Sequence, residues 1–174
     1  MKRAFLSFVI VTAGLLAAPA LAQDNSIGLG VGFVDPENVG GTAWFTANAQ
    51  IKVADRIVVQ PEAGFWTKSE DFQGLASASI KDFNVGANAL YLPATQSDFQ
   101  FGIGVGVGLH ILSGKVGVLN LFSESDSETK LGIHLLGQGD YKLSDSVWVF
   151  AALRFDLVSD INQTKVYGGV RFKI

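Results

Sequence analysis

Three side chains that can hold a metal or move a proton stand out in this sequence: His110, His134 and Asp156. Two imidazoles and a carboxylate are a donor set that zinc accepts. With Ser113 close to His110, the same set can be drawn as a nucleophile, a base and an orienting acid. The plainer alternative is an ion pair, because Lys165, near Tyr167, offers Asp156 a cation. A second constellation is ionic only. Lys52, Glu62, Asp140, Arg154 and Arg171 lie singly in stretches rich in apolar residues or glycine, and charges buried there must pair. Trp44 and Trp66 form a third, aromatic set. None of these sets means anything until the elements that carry them bring them together.

Composition restricts those elements. The chain has 174 residues, no cysteine, 20 glycines, 4 prolines, 48% hydrophobic and 17% charged residues. That excludes a disulfide scaffold or a disordered tail, and the charged fraction falls below the roughly 25% of soluble domains. Lys2 and Arg3 precede an apolar stretch, and Ala20-Leu21-Ala22 has the small-x-small form that signal peptidase accepts. Residues 1–22 are therefore expected to be a cleaved export signal and residues 23–174 a single domain. The formal net charge of −3 becomes more negative when Lys2 and Arg3 leave, which argues against nucleic acid as a partner. The period-two glycines at 28–32 and 102–108 lack the spacing and the strand-to-helix turn of a dinucleotide loop, and no cofactor is expected.

Past Gln23 no apolar run approaches the roughly 20 residues of a transmembrane helix. Residues alternate with a period of two instead, the mark of strands exposed to different media on their two faces. Eight strands are expected near 26–34, 42–53, 56–68, 79–92, 99–112, 130–143, 147–158 and 165–174. Short connections at 54–55, 94–98 and 144–146 alternate with mostly longer ones at 35–41, 69–78, 113–129 and 159–164. In the fifth strand Phe99, Phe101, Ile103, Val105, Val107, Leu109 and Ile111 share one face; Gln100, four glycines and His110 share the other. A soluble sandwich or a lipocalin-like barrel would carry Lys, Glu and Thr on its second face. Glycines with isolated charges suit a narrow closed lumen. The pattern predicts an all-β, eight-stranded, antiparallel up-and-down transmembrane barrel with both termini periplasmic.

Aromatic residues on the apolar face add a separate signal. Phe33, Phe45, Phe65, Phe83 and Phe155 fall on the long-loop side, and Tyr91, Phe99, Phe101, Tyr141 and Phe172 on the short-turn side. Two girdles around an aliphatic belt are what two membrane interfaces demand.

The last strand, with Val166, Val170, Phe172 and Ile174 alternating outward, looks like an outer-membrane assembly signal, although Ile174 stands where an aromatic residue is usual. With the export signal and the glycine-alternating strands, the chain resembles the OmpA/OmpX-like family of eight-stranded outer-membrane barrels over its whole mature length. The resemblance implies an integral protein of the bacterial outer membrane. Its partners would be outer-membrane lipid and lipopolysaccharide, with the barrel assembly machinery engaged through the C-terminal strand, and it is expected to be a monomer. A peptidoglycan-binding domain is not expected.

Within such a barrel the hairpin register places Arg154 level with Gly169 and Arg171 level with Ala152. Glu62 on the third strand can then reach toward either arginine, with Asp140, Lys52 and Gln138 completing a charged plug. The turn at 144–146 sets His134 opposite Asp156, with His110 diagonal to them. The tight turn at 54–55 sets Trp44 beside Trp66 at the same mouth, and the acidic run 124–128 falls in the longest loop. Strand five and the Ser-Gly-Lys-Val after it are similar to the lipid A deacylase family, whose seventh strand ends in His-x-Ser-Asn. Here that region reads Arg154-Phe155-Asp156-Leu157, so the catalytic pair is missing. The expected function is therefore a structural or interaction barrel, not an enzyme, whose extracellular loops meet lipopolysaccharide or external surfaces. A narrow gated passage for ions or small solutes is the first alternative, and a lipid-modifying or metal-binding barrel the second.

Overall fold

A computed structural model describes residues 25–72, 76–95, 98–118 and 122–174; the expected export signal at 1–22 lies outside them. Eight strands follow in order: β1 (Ser26–Pro36), β2 (Thr42–Ala54), β3 (Ile57–Phe72), β4 (Ala76–Thr95), β5 (Phe99–Val118), β6 (Phe122–Lys142), β7 (Val147–Val158) and β8 (Gln163–Lys173). Each pairs antiparallel with its neighbour in sequence, and β1 with β8 closes the barrel. Closure leaves no open sheet edge, which the membrane interior would not tolerate.

Side-chain alternation turns this barrel inside out relative to a soluble protein. Leu29, Val105 and Leu131 on the outer wall are 58%, 59% and 65% exposed, whereas Trp44, Trp66, His110 and Lys165 are 0% exposed within. All ten aromatics of the two expected girdles lie on the outer, exposed face. A wall apolar outside and polar inside is stable only with lipid around it.

The two ends differ. Asp55 and Arg56 turn β2 into β3, and residues 143–146 turn β6 into β7 with Leu143 N–H donating to the Val147 carbonyl at 2.9 Å. At the other end β4, β5 and β6 run for 20, 20 and 21 residues, well beyond the roughly 9–11 that cross a bilayer. This corrects the expectation of long loops at 69–78 and 113–129. Those stretches are mostly strand, with β5 and β6 paired up to Val118↔Phe122. Their polar residues stand in water on both faces, so hydropathy does not alternate and gives no strand signal.

The register of β7 and β8 is also corrected. Arg154 lies opposite Lys165, and Arg171 opposite Trp148. Asp160, in the left-handed region at φ 68°, and the Ile161 N–H to Val158 carbonyl bond of 3.2 Å turn the chain earlier than a symmetric loop would.

Candidate functional site

The inward positions of β2 to β8 build one polar column. Its part at the end with the long strands centres on Arg154. From β7 the guanidinium crosses the lumen to the Glu62 carboxylate on β3, donates to Asp156 Oδ1 at 2.5 Å and to His134 Nε2 at 3.0 Å. Lys165 Nζ donates to Asp156 Oδ2 at 2.5 Å and sits 3.9 Å from the centre of a Trp44 ring. Tyr167 donates its hydroxyl to Glu62 Oε2 at 3.3 Å. Arginine suits this position because its fixed fork of donors can serve several acceptors at once.

His110 joins the column from β5. Its Nδ1 lies 2.8 Å from Asp82 Oδ2, and its Nε2 lies 3.4 Å from His134 Nε2. Arg154 can only donate, so His134 presents a lone pair at Nε2, and both nitrogens of His110 face acceptors. Asp82 also accepts from Gln163 Nε2 at 2.8 Å, and Gln163 Oε1 accepts from Trp66 Nε1 at 3.2 Å. Three carboxylates, those of Glu62, Asp82 and Asp156, thus face Arg154, Lys165 and His110, all almost wholly buried.

Glycines make room for the large side chains. A Cβ on Gly64 would lie 1.9 Å from Trp44 Cη2, and one on Gly108 would lie 2.6 Å from His134 Cε1. The indole and the imidazole therefore lie against bare backbone, and the lumen accommodates them by leaving out neighbouring side chains.

Toward the tight-turn end, Arg171 donates to the Asp140 carboxylate and to Asn48 Oδ1 at 3.1 Å, while Gln138 Nε2 donates to Asp140 Oδ2 at 2.7 Å. Phe150 stacks beneath the Arg171 guanidinium, 4.7 Å from its ring centre. Below this layer a cup of about 470 Å³ opens to the tight-turn end, with Lys52, Trp148, Asp140 and Arg171 in its wall.

The structure therefore distributes the five expected lumen charges over two layers: Glu62 with Arg154, and Asp140 with Arg171, with Lys52 on the wall of the cup. Trp44 pairs with Trp66 across β2 and β3. His110, His134 and Asp156 offer ligand atoms within 4.8 Å of one another. A cation entering there would have to displace Arg154 from the His134 lone pair, and Arg154 and Lys165 from Asp156. Ser113 is a correction to the hydrolytic drawing. It has odd parity on β5, opposite to His110, and its Oγ pairs with Ser127 Oγ at 3.1 Å on the outer wall. Sequence reading overlooked Asp82, although its parity with Asn84 and Asn88 on β4 marks it as inward.

Together these features define a class: an eight-stranded transmembrane barrel with a lipid-facing apolar wall and a lumen occupied by paired charges. The chain belongs to the outer membrane protein beta-barrel domain family, whose profile matches residues 8–173, and it is an integral protein of the bacterial outer membrane. No curated protein sequence matches it. Among solved structures, Neisserial surface protein A is similar at 17% identity and a TM-score of 0.64, covering 86% of this chain and 97% of that one. Ail, the attachment invasion locus protein of Yersinia pestis, solved in complex with the heparin analogue sucrose octasulfate, is 14% identical with a TM-score of 0.63, covering 86% and 99%. A major outer membrane protein of Thermus thermophilus is 14% identical with a TM-score of 0.68, covering 87% and 98%. These likenesses establish the shared barrel architecture.

Proposed function

We propose that this protein is a structural and interaction barrel, without enzymatic activity, that works through its outer wall and long strands while its lumen stays closed to ions and solutes. The observation that carries this reading is the contact of Arg154 on β7 with Glu62 on β3, which spans the barrel's interior. A solute moving along the axis would have to separate this pair and then Arg171 from Asp140. Each separation leaves charges unpaired at low dielectric, which costs several kcal/mol.

The same reading orients the barrel with the tight turns and both termini in the periplasm and the extended ends of β4, β5 and β6 outside. Bacterial outer-membrane barrels in general carry short periplasmic turns and longer external segments. Export by residues 1–22 and recognition of β8 by the assembly machinery would deliver the chain to the membrane as a monomer. Lipopolysaccharide is the surface that the extended strands meet first.

Liposome swelling tests this. Proteoliposomes of the purified barrel placed in isotonic sugars or amino acids are expected to swell no faster than empty liposomes. Swelling that depends on solute size would replace the closed barrel by a solute passage.

A further inference from the structure

The extended hairpin of β5 and β6 sorts its charges by face. Glu124, Asp126 and Glu128 occupy even positions, in phase with the inward residues His134 and Gln138 below them. Odd positions on the outer side carry Ser125, Ser127 and Thr129 of β6 and Ser113 and Lys115 of β5. On the neighbouring β4, Ser79 and Lys81 continue this surface, with Ser79 opposite Lys115 and Lys81 opposite Ser113. By parity, lysine and hydroxyl side chains are thus gathered on the outer side, and Glu124 and Glu128 on the mouth side.

The girdle fixes the depth of this surface. Phe83, exposed on the outer wall, is level with Ile111. At about 3.3 Å per residue and a strand tilt of about 40°, Lys81 lies roughly 5 Å and Lys115 roughly 10 Å beyond that level. In the orientation proposed above, this surface begins at the headgroup level that the aromatic belt marks. A groove of about 250 Å³ runs between them, lined by Ser79, Ser113, Ser125, Asp126 and Ser127. Among the described residues, neither Lys81 nor Lys115 has a carboxylate at ion-pairing distance.

We propose that this groove binds the phosphorylated glucosamine headgroup of lipid A, with Lys81 and Lys115 on phosphate oxygens and the serine hydroxyls on sugar or phosphate oxygens. This rests on the orientation and lipopolysaccharide contact proposed above and names the site for that contact. Two lysines above an aromatic belt match an anion held at fixed height by its own acyl chains, since the chains lie along Phe83 and the aliphatic wall while the phosphate reaches the ammonium groups.

The test uses the refolded full-length mature barrel in nanodiscs, with bisphosphorylated lipid A, dephosphorylated lipid A and a heparin fragment as probes. Wild type is expected to bind bisphosphorylated lipid A at least tenfold more tightly than either of the others. The Lys81→Gln/Lys115→Gln double variant should lose that preference while keeping its heat-modifiable gel mobility. The Glu124→Gln/Glu128→Gln variant, outside the groove, should keep it, with or without chelator. If wild type prefers lipid A but the lysine variant binds equally well, the site is wrong and lipopolysaccharide contact stands. If wild type does not bind lipid A, both fall, and preference for heparin would make the surface a polysaccharide site.

Discussion

Arg154 and Glu62 meet across the barrel, joining β7 to β3 through the centre of the lumen. The contact is buried at both ends, at 1% and 2% side-chain exposure, so water cannot stand in for a lost partner. Arg154→Ala or Glu62→Ala should each destabilise the folded barrel by about 3–5 kcal/mol, because each leaves its partner charged and buried. The Glu62→Ala/Arg154→Ala double variant should cost less than the two single variants added together. Urea unfolding in lipid vesicles, read by tryptophan fluorescence, measures this. Additive losses would show that the pair is not coupled.

Gly64 is the floor on which Trp44 rests. A Gly64→Val substitution would drive its side chain into the indole ring and push Trp44 off Lys165, at a cost of about 1–3 kcal/mol typical of overpacking. The expected readout is a lower temperature for loss of the compact gel form. Gly137, beside whose Cβ position nothing lies within 4 Å, serves as the control, and Gly137→Ala should leave that temperature unchanged.

Legibility of the fold followed the alternation of apolar and polar residues. Where lipid wets one face, as for Phe99 to Ile111, the period of two is plain and the strand can be read directly. Above the membrane both faces meet water, and Ser123 to Glu128 alternates only hydroxyl with carboxylate, a pattern that hydropathy does not register. The Trp44 and Trp66 pair was legible as two inward aromatics near one mouth, but its register depends on an irregularity between Lys52 and Ala54, without which the Ala54↔Ile57 turn pair would set Trp44 opposite Thr67. Arg154 was placed against the wrong residue of β8 because one left-handed residue, Asp160, shifts the hairpin. The meeting of His110 with Asp82 on β4 and His134 on β6 was only partly legible, since Asp82 had to be found by parity alone.

Zinc gives a clear outcome at the His110, His134 and Asp156 cluster. The His134 lone pair accepts from Arg154, and both Asp156 oxygens are held by cations. Wild-type barrel dialysed against zinc should retain well under one ion per chain by elemental analysis. Stoichiometric retention that is lost in His134→Ala would establish a metal site.

The turn between β6 and β7 carries a pH-dependent contact outside the membrane. Lys142 Nζ donates to Asp145 Oδ1 at 2.7 Å and holds the Asp145 carboxyl below the ordinary carboxylate range. With its pKa depressed in the fold, this group contributes stability above its unfolded pKa, near about pH 4, and loses it as pH falls through the folded value. In Lys142→Ala the Asp145 titration, followed by carboxyl carbon chemical shift, should move up to the ordinary range. An unchanged titration would mean that the pair does not form in solution.

Closure of the lumen is tested most directly by single-channel recording in planar bilayers. Wild-type barrel is expected to insert without steady conductance, and the Glu62→Ala/Arg154→Ala/Asp140→Ala/Arg171→Ala variant, confirmed folded by its gel mobility, should open a measurable ion path. A stable conductance from the wild type, unchanged in the variant, would contradict the closed barrel.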